Sequence, residues 1–127
     1  TGDLFAYAVV PADPATPAAE LQIVTRRRTR PEFEEPAAWW TPAISPGDLA
    51  IYRGNLFRDW RGNAFAAGLS SRAIVRIELD GDSAREVGRY EMGARIRSVV
   101  EGPDGALWVL EDGGDSAGRL LKLTPKG

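Results

Sequence analysis

The sequence predicts an all-β fold, read as an arc of a β-propeller. Three observations predict it. Short apolar runs alternate with polar residues at a period of two, as strands do. Asp-Gly and Pro-Asp-Gly close these runs, and both are hairpin-turn chemistry. A strand-turn-strand layout recurs along the chain, and a repeat of roughly 40 residues built from about four strands is the pattern of propeller blades. A sandwich or a barrel fits the same short strands, and the repeat is what favours the propeller. The best amphipathic helical window, around Ser83 to Arg89, is too short to predict a helix.

The elements follow in order. LFAYAVV (Leu4 to Val10) and ELQIVT (Glu20 to Thr25) read as strands, joined by the Pro- and Ala-rich loop PADPATPAA. Residues 26–46 are irregular, with a basic cluster, an acidic cluster and a Trp-Trp pair. From Leu49 the pattern becomes regular: LAIY, NAFAAGL, AIVRIEL, REVGRYEM, IRSVV, ALWVLED and GRLLKL. In AIVRIEL, Val75, Ile77 and Leu79 are expected on one face, with Arg76 and Glu78 on the other. In RLLKL, Leu121 and Leu123 oppose Lys122. Asp80-Gly81 and Pro103-Asp104-Gly105 are expected to be tight turns. Tyr52, Tyr90 and Trp108 are expected to pack in the core.

On this reading Leu49 to Met92 is one whole blade, and Ile96 to Leu123 gives three strands of the next. Leu4 to Thr25 gives the outer two strands of the blade before. The 127 residues are thus expected to form a single all-β unit of about two to three blades. Within it, 1–35 is a divergent strand pair and loop, and 36–127 holds the regular blades. A domain of this size buries roughly two-thirds of its unfolded surface.

Composition narrows the chemistry. The net charge of -2 gives no field that favours nucleic acid or an anionic membrane. No apolar run approaches the roughly 18 residues of a membrane helix. The chain opens on Thr1 with no recognisable signal peptide, which predicts a trimmed or processed product. It has no cysteine and no histidine. A Ser-His-Asp triad, an imidazole zinc site and a histidine general base are therefore excluded within this chain.

Several residues are candidates for function. Arg95 and Arg97, one residue apart at the start of a strand, should point to the same face and offer two planar guanidiniums to an anion. The plain alternative is a solvated face with surface ion pairs. Trp39 and Trp40 suit a sugar-binding aromatic platform, or an apolar cover for the core. Arg26, Arg27, Arg28 and Arg30 are followed at once by Glu32, Glu34 and Glu35, which cancels any nucleic-acid patch. The acidic turns Asp80 to Asp82 and Glu111 to Asp115 lack the EF-hand spacing and read as ordinary turn chemistry.

Five ordered segments carry a family resemblance: PAAWWTPAISPGDLAIY, WRGNAFAAGL, RAIVRIELDGD, ARIRSVVEGPDGALWVLED and GRLLKL. Over about Pro36 to Leu123 the chain resembles the C-terminal third of the soluble PQQ-dependent aldose sugar dehydrogenases, the glucose/sorbosone dehydrogenase type. The resemblance implies a six-bladed β-propeller holding pyrroloquinoline quinone (PQQ) in its mouth and oxidising an aldose to a lactone. It implies that Arg95 and Arg97 lie near the cofactor and Trp40 near the sugar. It places the histidine base and the calcium ligands in segments outside this chain. It also implies a periplasmic or secreted location.

One departure is expected to matter. Where the family carries a cofactor-contacting lysine, this chain has Ser70, which supplies no charge. Arg72, two residues on, is the nearest substitute. The chain alone is therefore expected to be inactive. Its partners would be the remaining blades or further copies of itself, since heterologous contacts that close make rings. The rival reading is a non-catalytic propeller module that binds a protein or a glycan.

Overall fold

The computed structural model describes residues 37–126. The chain divides into two compact units, Thr1–Trp39 and Trp40–Gly127, and every element below belongs to the second. The strands read at Leu4 to Val10 and Glu20 to Thr25, the loop between them and the Arg26 cluster lie outside the described residues.

Among the described residues, seven strands form two antiparallel sheets. Sheet A holds β1 (Pro46–Ile51), β2 (Ala64–Gly68), β3 (Ala73–Asp80) and β4 (Ser83–Glu91), in that spatial order. Sheet B holds β5 (Ile96–Glu101), β6 (Leu107–Glu111) and β7 (Leu120–Leu123), again in order. Each sheet is a meander of sequential neighbours. The whole blade read at Leu49 to Met92 is sheet A, and the three strands read at Ile96 to Leu123 are sheet B. The first strand of sheet B packs against β1 and β2 of sheet A, the blade-on-blade stacking of a β-propeller. Apart from one 3-10 turn, Arg58–Trp60, the described residues hold no helix.

Turn chemistry sets the meanders. Gly81 adopts φ +57° in the two-residue link between Asp80 and Ser83, which pair across the hairpin. That is the positive φ that mirror-image hairpin turns demand. Ser83 Oγ donates to the Asp80 carbonyl and closes the tip. Gly105, at φ +80°, ends the turn between β5 and β6, where its N–H donates to Gly102.

Two apolar clusters lie on opposite faces of sheet A. Tyr52, Phe65, Ala67, Ile74, Ile96, Val99, Leu107 and Val109 form the core between the sheets. Ile44, Ala64, Ala66, Val75 and Ile77 form the second, with Trp40 and Leu49 packed against it. Val75 and Ile77 share one face, opposite Arg76, as the alternation predicts. A middle strand of a blade is covered on both faces, so Ile74 is buried as well as Val75, while Leu79, expected with them, is exposed near the strand end. Leu121 and Leu123 do pack inward as expected. Trp108 does not join the core. It lies half-buried on the other face of sheet B, beneath the Lys122 ammonium 5.4 Å from its ring centroid, a cation–π contact.

The two sheets are tied by Tyr52. Its hydroxyl is buried, donates to the Gly105 carbonyl at 2.7 Å and accepts the Phe57 N–H at 3.0 Å. One atom thus fixes the loop after β1 and the turn of sheet B. The ring meets Phe57 and Phe65 edge-on, and Phe57 stacks on Trp60 at 4.3 Å. Tyr52→Phe keeps the ring but leaves the buried Gly105 carbonyl and the half-buried Phe57 N–H unpaired, at a cost of about 1–3 kcal/mol. A urea unfolding curve is expected to show that loss as a lower midpoint with unchanged slope.

Candidate functional site

The candidate site forms at the start of β5. Gly93, at φ +73°, lets the chain leave sheet A after β4. Two residues later come Arg95 and then β5 itself. The pairing of β5 with β6 shifts register between Ile96 and Ser98. This bulge changes the phase of the strand. Ile96 and Val99, three apart, both enter the core, and Arg97 is left facing solvent. A matching irregularity lies in β1 between Pro46 and Asp48. The two first strands meet there. A Cβ on Gly47 would come 2.7 Å from the Arg97 carbonyl oxygen, so only glycine permits this approach. Asp48 Oδ2 accepts the Val99 N–H at 3.2 Å, which locks β1 to β5 just below the arginines.

Arg95 and Arg97 do share a side, as the sequence predicts, and they share a carboxylate. Arg97 donates to Asp112 Oδ2 at 2.6 Å, and Arg95 Nε lies 3.7 Å from the same oxygen. The main chain repeats the link, with the Asp112 N–H donating to the Arg95 carbonyl at 2.8 Å. The other Asp112 oxygen accepts the Gly114 N–H. Bonding to Arg97, reinforced by Gly114 and by the nearby charge of Arg95, holds the Asp112 carboxyl below its ordinary value of 3.8. Two guanidiniums and one carboxylate leave the cluster with a net positive charge. The arginine side chains are about half exposed, so most of their N–H donors remain available.

The loop that carries Asp112 is clamped at its base. Glu111, the buried charged residue of this region, takes a bidentate pair from Arg119 at 2.9 Å and 2.7 Å. The planar fork of arginine matches a carboxylate in that geometry. The Arg119 carbonyl also accepts the Glu111 N–H. Reading the sequence alone makes Glu111 and Asp112 turn residues and misses both roles. The signal is the antiparallel pairing of the strands that IRSVV and ALWVLED form, which brings Asp112 back beside Arg95.

The structure does not bring Trp40 to this cluster. Trp40 packs on the face of sheet A that looks away from sheet B. Its indole N–H donates to Glu86 Oε2 on β4 at 2.7 Å, and Glu86 is also held by Arg89. Ser70 Oγ, where a lysine is expected, donates to the Ala43 carbonyl at 2.8 Å. Arg72 is exposed in the same loop, at a positive φ of 52°. Among the described residues, no group of three or more His, Cys, Asp or Glu is placed to hold a metal ion.

This geometry can be set beside known proteins. The family model for Glucose / Sorbosone dehydrogenase matches residues 15–122. The chain belongs to the glucose/sorbosone dehydrogenase family. The match begins upstream of Pro36, where the resemblance carried by the quoted segments starts. Among curated proteins, the aldose sugar dehydrogenase YliI of Escherichia coli is 35% identical over 95 residues, covering 73% of this chain and 25% of that protein. The uncharacterized protein slr1608 of Synechocystis is 39% identical over 103 residues, covering 80% of this chain and 24% of that protein. The crystal structure of the soluble aldose sugar dehydrogenase from Escherichia coli in the apo-form superposes with a TM-score of 0.67 and 35% identity, over 73% of this chain and 27% of that one. The chain therefore spans about a quarter of the length of these relatives.

The carboxylate clamp gives a pH signature. Asp112 titrates lower folded than unfolded, so its contribution to stability is full above the unfolded value and is lost as pH falls through the folded one. Asp112→Asn should therefore be less stable than the parent at pH 7. The two stabilities should converge well below the ordinary value of 3.8, once the parent carboxyl is protonated too. Urea unfolding across an acid pH series measures this convergence.

Proposed function

We infer that the polypeptide carrying this chain is a PQQ-dependent sugar dehydrogenase that oxidises an aldose to a lactone, and that this chain supplies one wall of the quinone pocket. The observation that carries the reading is the arginine pair held by Asp112 at the start of β5. The donor set fits the cofactor. PQQ is a polycarboxylated quinone, and two half-exposed guanidiniums present planar forks to carboxylates and quinone oxygens.

In this reading Arg97 and Arg95 bind the anionic edge of the cofactor, and Asp112 holds both guanidiniums toward it. Asp112 also tempers the local charge, so that the empty pocket does not carry two unscreened cations side by side. Gly47 and Asp48 fix the backbone beneath the pair. Held by Arg95 and Arg97, the quinone would supply the hydride acceptor for oxidation at the anomeric carbon of the sugar. With no histidine in its 127 residues, this chain leaves proton abstraction to groups outside it, together with the calcium ligands. Trp40, which the resemblance places near the sugar, lies on the other face of sheet A with its indole N–H on Glu86, so the arginine pair and not Trp40 carries this reading. The exposed face of Val100, Leu110 and Leu120 on sheet B is the surface that a further blade would cover. The periplasmic or secreted location belongs to the same reading.

A specific observation favours the rival, a propeller module that binds a protein or glycan without catalysis. Ser70 stands where the family's lysine is expected, and its hydroxyl is already committed to the Ala43 carbonyl. Absorbance titration with PQQ and calcium, on the native polypeptide that carries this chain, separates the two. Saturable binding is expected. Arg97→Ala should weaken it about 10- to 100-fold, the range of a lost charge-assisted hydrogen bond. No saturable binding, or equal binding by Arg95→Ala and Arg97→Ala variants, would sink the cofactor reading in favour of the rival.

A further inference from the structure

Among the described residues, two that are not glycine hold a left-handed φ, Ser45 at 51° and Arg72 at 52°. They belong to two segments bound to each other. The Leu69 N–H donates to the Ser45 carbonyl and the Ser71 N–H to the Ile44 carbonyl, and Ser70 Oγ donates to the Ala43 carbonyl. The loop between β2 and β3 is thus held at three points by the segment that leads into β1. Its last residue, Arg72, is held again by the Met92 N–H, which donates to its carbonyl at 2.9 Å. A left-handed backbone is unfavourable for a residue with a Cβ and ordinary for glycine. The neighbouring Ser71 hydroxyl adds a second cost, since it is buried without a hydrogen-bond partner. The loop therefore keeps an arginine where glycine would sit without strain. Such strain concentrates at ligand sites, held in place by the surrounding structure.

The topology brings Arg72 to the same end of the sheets as the arginine pair. The starts of β1 and β3 and the ends of β2 and β4 lie together, since Pro46 pairs with Gly68, Ala67 with Ile74, and Ala73 with Glu91. β5 starts at that end too, because Gly47 lies against Arg97. Met92, bonded to Arg72, precedes Arg95 by three residues, which span at most about 10 Å. The charges there are not equivalent. Arg95 and Arg97 share Asp112, and Arg119 at the start of β7 is taken by Glu111. Arg72 is exposed, and among the described residues no carboxylate pairs with it. Of these four arginines it alone keeps every side-chain donor free.

We propose that Arg72 is a third cofactor-binding arginine, which gives its guanidinium to a carboxylate of PQQ that Arg95 and Arg97 do not engage. The inference rests on the cofactor reading above and extends that site to the β2–β3 loop. The planar fork of arginine matches a carboxylate in a bidentate pair. The fixed loop backbone reduces the freedom that Arg72 loses on binding. The left-handed φ at position 72 is then the cost of presenting a cation from this turn.

The test sets Arg72→Gly and Arg72→Lys beside the parent, in the native polypeptide that carries this chain. Absorbance titration with PQQ in the presence of calcium reads binding, and urea unfolding reads stability. Arg72→Gly relieves the strained φ, so its unfolding midpoint is expected at or above that of the parent. Its PQQ affinity is expected to fall about tenfold, the worth of a charge-assisted hydrogen bond. Arg72→Lys keeps the charge but loses the fork, and its affinity should fall between the two. A residue that serves only the turn would leave affinity unchanged in both variants, and that result overturns the proposal. Should Arg72→Gly unfold more readily than the parent, Arg72→Lys decides alone: weaker binding supports the proposal and parental binding overturns it. Arg97→Ala separates this inference from the reading beneath it. If Arg97→Ala weakens PQQ while both Arg72 variants bind as the parent does, this inference alone fails. If the parent shows no saturable binding, the cofactor reading fails and this inference with it.

Discussion

The Tyr52 hydroxyl joins two blades whose contact is otherwise mostly apolar. Apolar contact is strong but weakly directional, so it does not by itself set how one sheet sits on another. A buried hydroxyl that donates to Gly105 and accepts from Phe57 does set it. The Asp48 carboxylate, accepting the Val99 N–H, repeats the device at the opposite end of β1. With both ends of β1 tied, the first strand of sheet B is held against the first strand of sheet A. Everything at the start of β5 depends on that.

The candidate site is a consequence of the same constraint. The bulge in β5 lets Ile96 and Val99 both reach the core while Arg97 faces out. The glycine at position 47 lets the neighbouring backbone come close enough to support it. Asp112 then gathers the two arginines from the adjacent strand. A cluster of two cations would otherwise repel itself. One shared carboxylate removes most of that repulsion while leaving a net positive surface with free donors.

Much of the fold is legible in the sequence. Six of the seven described strands lie on runs that alternate or carry β-branched residues, the exception being the all-apolar β2, and Gly81 and Gly105 mark real turns. Leu121 and Leu123 face inward because β7 is covered on one side only, the case in which alternation holds. In β3 the rule assigns the faces of Val75, Ile77 and Arg76, but it does not reveal that a middle strand is covered on both sides, so that Ile74 and Val75 are equally buried. It misreads Trp108 because the long, amphipathic indole lies under Lys122 on the outer face rather than between the sheets. Of the candidate site, the arginine pair is legible from its spacing. Its partner is not, because Asp112 lies fifteen positions away and reaches Arg97 only through the β5–β6 pairing.

The sequence by itself determined the strand class, the turn positions, the blade-like repeat, and the absence of histidine and cysteine from any chemistry here. These are local properties, written in periodicity and residue type. Only the tertiary structure decided which charges meet. Arg95 and Arg97 share Asp112, Arg119 clamps Glu111, Trp40 turns to Glu86, and Arg72 meets no carboxylate among the described residues. The physical reason is that register and bulges set these pairings. A shift of one residue in a strand moves a side chain to the other face, and nothing in residue order alone fixes that shift.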